Sequence, residues 1–159
     1  RKNKKIGEET FDEWIDSLKL NLLSTTNIIY YASKYLKKSD SPSITCISSI
    51  CGIITSMAPL DYSASKSALN MYVKNQSRLL SKYKIRINIV SPGNIFSDDG
   101  RWPIKFKKDK NLKKNLIKNT PLKRLGVTSD VSNAVLFLSS DLSSFTTGAN
   151  LVIDGGQSA

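Results

Sequence analysis

A chain of 159 residues, 40% of them hydrophobic, is one domain's worth and long enough to bury a core. No apolar run reaches the ~18 residues of a membrane span, and "RKNKKIGEETFDEW" at the start has no apolar stretch behind its basic residues, so it does not read as a secretory signal. There is no histidine, and Cys46 and Cys51 have no second cysteine pair, which argues against a metal site and for reduced thiols in the cytoplasm.

The net charge of +11 comes largely from two clusters, "RKNKK" and "RWPIKFKKDKNLKKNLIKN". Such runs suit phosphate, nucleic acid or an anionic substrate. Single-stranded nucleic acid needs aromatics interleaved with the lysines, and only Trp102 and Phe106 are there. A solvated surface is the plainer expectation, with neither nucleic acid nor membrane as partner.

In chain order, Thr10 and Glu13 form a capping box. Phe11, Trp14, Ile15, Leu18 and Leu22 then recur at helical spacing, which predicts a helix running to about Lys38. "SITCIS", 43–48, is short, apolar and β-branched, and predicts a buried strand. A loop with Gly52 and Pro59 leads into a helix from about Asp61 to Lys82. "KIRINIV", 84–90, predicts the next strand, stopped by "SPG". The stretch 94–120 is irregular and basic, with a short helix around 110–118. Thr128 and Asp130 open a further helix through "VSNAVLFLSS", and "NLVIDGG", 150–156, ends the chain's predicted elements with a strand.

Helices and strands thus alternate, which predicts an α/β fold with a parallel sheet. Three strands make a narrow floor for these helices. Together with the absence of an initiating Met, this leads us to expect a single partial domain, 1–159, belonging to something longer.

Two Tyr-x-x-x-Lys pairs stand out, Tyr30–Lys34 and Tyr62–Lys66. Four residues apart on a helix is one face, so an ammonium near a phenol is expected to pull its pKa below ~10 and fit it for proton transfer. A proton donor to a carbonyl also needs a second hydroxyl on the same oxygen. Ser49, thirteen residues before Tyr62, ends a predicted strand, where such folds bind ligands. Ser17, equally far before Tyr30, lies in the same predicted helix, roughly 20 Å away along its axis. Tyr62–Lys66 is therefore the candidate couple, and Tyr30–Lys34 reads as helix surface.

With these residues in place, the chain resembles the short-chain dehydrogenase/reductase family, from about Phe11 to Ala159. The resemblance rests on "WIDSLKLNLLS", "ITCISSICG", "YSASK", "IRINIVSPGNIFS" and "TPLKRLGVTSDVSNAVLFLSSDLSSFTTGANLVIDGG", in that order. It implies a Rossmann-like doubly wound sheet and NAD or NADP as cofactor. Tyr62 would be the general acid or base, and Ser49 would hold the substrate oxygen. Lys66 would tune Tyr62 and bind the nicotinamide ribose, and Asn21 would hold a water behind Lys66. Pro92, Gly93, Ile95 and Ser97 would line the nicotinamide, with Ser97 standing where the family more often has Thr. The loop 94–120 would choose the substrate, its basic side chains suiting an acyl chain on acyl carrier protein or a sugar phosphate. Full-length members form dimers or tetramers.

The eight glycines, at 7, 52, 93, 100, 126, 148, 155 and 156, nowhere give the family's Gly-x-x-x-Gly-x-Gly turn. The amino-terminal βαβαβ half, which carries that pyrophosphate cradle, is thus missing from this sequence. The expectation is little activity for the chain alone, or a non-catalytic subunit that assembles with full-length homologues.

Overall fold

The structure, a computed structural model, describes residues 5–159, so that only Lys5 of the first basic cluster is included. Helix α1, Phe11–Leu18, starts where expected: Thr10 Oγ1 accepts from Glu13 N, and Glu13 Oε2 accepts from Thr10 N at 2.8 Å. It runs on through one π-turn, Lys19–Leu23, into α2, Ser24–Leu36. Strand β1, Ser43–Ile47, leads through a 3-10 turn, Ile50–Gly52, to α3, Leu60–Leu80. Pro59 offers no side-chain cap to α3; Glu9 Oε1, from far back in the chain, accepts from Leu60 N at 3.0 Å instead.

Strand β2, Arg86–Pro92, is followed by the short β3, Ile95–Phe96, and helices α4, Trp102–Lys108, and α5, Leu112–Asn119. Then come β4, Gly126–Val127, α6, Thr128–Ser139, and β5, Asn150–Ile153. The three predicted strands form one parallel sheet in the order β1–β2–β5, with Ile44 opposite Ile87 and Val90 opposite Leu151. The pair β3–β4, also parallel, was not expected, nor was helix α4 within the irregular stretch.

Strand alternation decides the layers. Ile87 and Ile89 point to the face covered by α2 and α3, where they join Ile29, Cys46, Leu69, Val73 and Leu80 in the main core. Val90 points to the other face and packs on Ala134 and Leu138 of α6. Two polar side chains on that second face act as ties. Arg86 Nη1 donates to Leu138 O (2.9 Å) and Ser143 Oγ (2.7 Å), and its Nη2 to Ser140 O (3.0 Å). Asn88, fully buried, donates to Thr146 O and accepts from Ala149 N, which fixes the approach to β5. The result is an α/β/α layering on a parallel sheet, with helix starts and strand ends gathered at its carboxyl edge.

Among the described residues no helix is long and apolar enough to cross a membrane, and no cluster of three His, Cys, Asp or Glu side chains is placed to hold a metal.

Candidate active site

The site begins where β1 ends. Ser48 N donates to Val90 O at 2.8 Å, continuing the ladder, and the chain then turns sharply at Ser49. Ser49 Oγ accepts from Cys51 N at 3.2 Å, so this serine caps the 3-10 turn. The turn lies directly on α3. A Cβ on Gly52 would stand 2.7 Å from the Lys66 carbonyl carbon and 2.8 Å from Ser67 N, so only glycine lets the two backbones approach this closely. Asn70 Nδ2 adds a bond to Gly52 O at 3.1 Å.

That docking sets Ser49 against Tyr62, in the first turn of α3. Both hydroxyls line one cavity of about 570 Å³, with Ser49 close enough to act on the Tyr62 phenol. Pro92, Gly93 and Ile95 line the same cavity from the end of β2. Of the other residues expected here, Ser97, Lys66 and Asn21 do not border it. Gly93 is held for packing: a Cβ there would meet Asp154 Cβ at 2.7 Å, and Asn94 N is bonded to Gln157 Oε1 at 3.1 Å.

The charge arrangement corrects one expectation. Burial pushes the Tyr62 phenol above its ordinary value, although the Ser49 hydroxyl and the Arg101 charge work to lower it. Lys66 does not supply the lowering. Its ammonium donates to Ile47 O at 3.0 Å, and Nζ is 5.8 Å from the centre of the Tyr62 ring. Sharing a helix face brings the pair together, but the strand-end carbonyl accepts the ammonium's hydrogen bond. Burial also pushes Lys66 below its ordinary value, opposed by the Cys46 thiol beneath it.

Asn21 sits inside the π-turn, a distortion that recurs at functional sites. Its amide donates to Ser17 O (2.9 Å) and Ser17 Oγ (3.2 Å). Ser17 Oγ lies 3.3 Å from Ser65 Oγ, and Ser65 Oγ donates to Tyr62 O at 2.9 Å. Because Ser65 spends its one proton on Tyr62 O, Ser17 must donate to Ser65. A directed chain thus runs from Asn21 through Ser17 and Ser65 to the backbone of Tyr62. Neither serine was singled out for this; Ser17 entered only as the mismatched partner of Tyr30. Tyr30 itself is 74% exposed, on helix surface as expected.

Trp102, Thr128, Val131, Ser132 and Val135 complete the cavity lining. The sequence signal for Trp102 was its spacing to Phe106, four residues on, which makes one face of α4. The turn after β5 is structural: a Cβ on Gly155 or Gly156 would press on Thr120 or Pro121, and both glycines have positive φ.

The fold and this geometry define a Rossmann-like α/β protein with a serine–tyrosine pair at the carboxyl edge of its sheet. A family model described as enoyl-(acyl carrier protein) reductase matches residues 1–158, and the chain belongs to this short-chain dehydrogenase/reductase family. It is 32% identical over 146 residues to isoepoxydon dehydrogenase patN of Penicillium expansum, covering 91% of this chain and 56% of that protein. It is 34% identical over 145 residues to the 3-oxoacyl-[acyl-carrier-protein] reductase FabG of Chlamydia trachomatis, with the same coverage. Among solved structures, a short-chain dehydrogenase of Leptospira borgpetersenii with bound NAD+ superposes with a TM-score of 0.86 at 30% identity, over 98% of this chain and 60% of that one. A 3-oxoacyl-[acyl-carrier protein] reductase of Brucella melitensis gives 0.88 at 30%, over 98% and 57%. The chain therefore spans a little over half the length of the relatives it matches.

Proposed function

We propose that this chain is the catalytic portion of an NAD- or NADP-dependent oxidoreductase of the cytoplasm, acting between a carbonyl and an alcohol. The Ser49 and Tyr62 hydroxyls over one cavity edged by Pro92, Gly93 and Ile95 carry this reading. The residues present fit the nicotinamide end of the cofactor: two hydroxyls and a strand-end backbone meet at one apolar recess, with Ser97 just beyond Ile95. The pyrophosphate end has no glycine-rich cradle in this sequence.

A bound nicotinamide supplies the hydride. Tyr62 gives its phenolic proton to the carbonyl oxygen in reduction and receives it in oxidation. Burial keeps the phenol protonated at neutral pH, which suits the acid role. Ser49 donates to the same oxygen and stabilises the charge that grows there. Lys66, whose ammonium lies at Ile47 on the sheet edge, would bind the ribose. Asn21 acts behind it, holding α3 in register through Ser17 and Ser65. The 94–120 loop selects the substrate, a small carbonyl compound or one borne on a carrier protein.

Alone, the chain is expected to bind cofactor feebly and turn over little. The test joins it to the amino-terminal portion of one of its matched relatives and follows nicotinamide fluorescence and oxidation. Restored turnover supports the reading. Turnover unaffected by Tyr62→Phe would refute it.

A second reading has its own observation. The outer faces of α1 to α3 leave Phe11, Leu20, Ile28, Tyr30, Tyr35 and Met71 exposed. This supports assembly, either as a homo-oligomer or as a non-catalytic subunit with full-length homologues. Size-exclusion chromatography of the chain, with and without a homologue, distinguishes these from a monomer.

A further inference from the structure

The part of the molecule that the proposed chemistry does not use is the aromatic cluster over the cavity. Phe96 and Phe106 stack at 6.2 Å with planes 4° apart, and Phe106 stacks on Trp102 at 5.5 Å and 18°. Three nearly parallel rings therefore form a short pile, with Phe106 in the middle. The pile is not a sealed core. All three rings are half-buried, and Trp102 at one end borders the cavity that holds Ser49 and Tyr62.

Cations surround the pile. Lys105 Nζ stands 4.9 Å from the Trp102 ring, and Lys113 Nζ stands 5.6 Å from Phe96 and 6.0 Å from Phe106. Arg101, next to Trp102, is close enough for its charge to act on Tyr62. Acidic side chains do not cancel this charge. Between 98 and 113 there are six basic residues against Asp98, Asp99 and Asp109, and Asp109 is engaged with the backbone N–H groups of Asn111 and Leu112.

We propose that Trp102, backed by Phe106 and Phe96, is the substrate wall of the Ser49–Tyr62 cavity, and that it takes a planar, unsaturated ring bearing a carboxylate or similar anion. The ring extends the aromatic pile, and its anionic group meets Arg101 and Lys105. A flexible acyl chain would gain less here, because it has no flat face to lay on indole and loses more rotamer freedom on binding. A neutral ring would leave the cations without a partner. This inference rests on the oxidoreductase reading for its statement that the occupant is a substrate.

The test needs no turnover. The chain has two tryptophans, so Trp14→Phe leaves Trp102 as the sole indole reporter. Its fluorescence is titrated with 2-naphthoate, decanoate and 2-naphthalenemethanol. We expect 2-naphthoate to quench and to bind about tenfold tighter than either of the others, the upper range for one aromatic pair. By calorimetry on the natural chain, Trp102→Leu loses about that factor for 2-naphthoate while Trp102→Phe retains most of it. Arg101→Gln weakens 2-naphthoate and leaves 2-naphthalenemethanol alone. Decanoate binding as tightly as 2-naphthoate would overturn the proposal. So would 2-naphthoate affinity unchanged in Trp102→Leu, or Trp102 quenched equally by nicotinamide mononucleotide in competition, which would give the wall to the cofactor. These binding readouts need no hydride transfer, and the redox reading is tested separately by turnover of the joined protein, so a failure here is separable from a failure of that reading.

Discussion

Ser49 and Tyr62, thirteen residues apart in sequence, face one cavity, with the serine hydroxyl close enough to act on the phenol. One hydroxyl comes from the end of a strand and the other from the first turn of the following helix. A glycine pressed against that helix fixes the distance between them. The consequences of this arrangement are measurable.

The phenol is held above its ordinary value by burial, against a lowering by Ser49 and Arg101. Ser49→Ala and Arg101→Gln should each raise its titration further. Lys66→Met should leave it nearly unmoved, because that ammonium is engaged by Ile47 O. Phenolate absorbance, taken as the difference from Tyr62→Phe, reads this directly. In an assembled enzyme the sign is fixed: reduction holds through neutral pH, while oxidation, which needs the phenolate, climbs as pH rises.

Cys46 gives a stability prediction. Burial raises its thiol from 9.0 to about 11, a shift that the Lys66 charge opposes. A raised pKa stabilises the fold fully below pH 9.0, and this contribution is lost as pH rises through about 11, since the unfolded thiol ionises first. The loss should be on the order of 2–3 kcal/mol. Denaturant midpoints across that pH interval should fall in the natural chain and fall less in Cys46→Ala.

Gly52→Ala should cost about 1–3 kcal/mol, because the new methyl meets helix backbone that cannot move aside cheaply. The same variant should separate Ser49 from Tyr62. The Tyr62 titration would then move up as it does in Ser49→Ala. Urea unfolding and the phenolate difference together check both parts.

Ser17→Ala removes the middle of the chain from Asn21 to Tyr62 O and leaves Asn21 without its hydroxyl acceptor. A loss of about 1–3 kcal/mol is expected, with slowed amide exchange around 62–66 giving way to faster exchange. An unchanged exchange pattern would show that the serines do not tie the two helices.

Much of this was legible in the sequence. The helices with strong periodicity, the three sheet strands and the Ser49–Tyr62 meeting follow from patterns that span only one or two elements. The π-turn leaves no mark in composition, so the first helix read as unbroken, and Asn21 was marked only by the family resemblance. Strands β3 and β4 are two residues each, too short for alternation to show. Ser17–Ser65 and Glu9–Leu60 are partnerships about fifty residues apart, formed by packing between helices. The direction of the Tyr62 shift depended on burial, which a spacing argument does not contain. Helix α4 was missed although Pro103 at its start and the Trp102–Phe106 interval were both in view.

The most direct measurement follows label from deuterated NADH or NADPH into the product alcohol. The protein is this chain joined to the cofactor-binding portion of a matched relative, with folding and cofactor binding verified first. The account predicts deuterium on the former carbonyl carbon, and about 100- to 10,000-fold slower transfer in Tyr62→Phe with cofactor affinity retained. Transfer at the same rate without the phenol, or none at all in a folded protein that holds its cofactor, would contradict it.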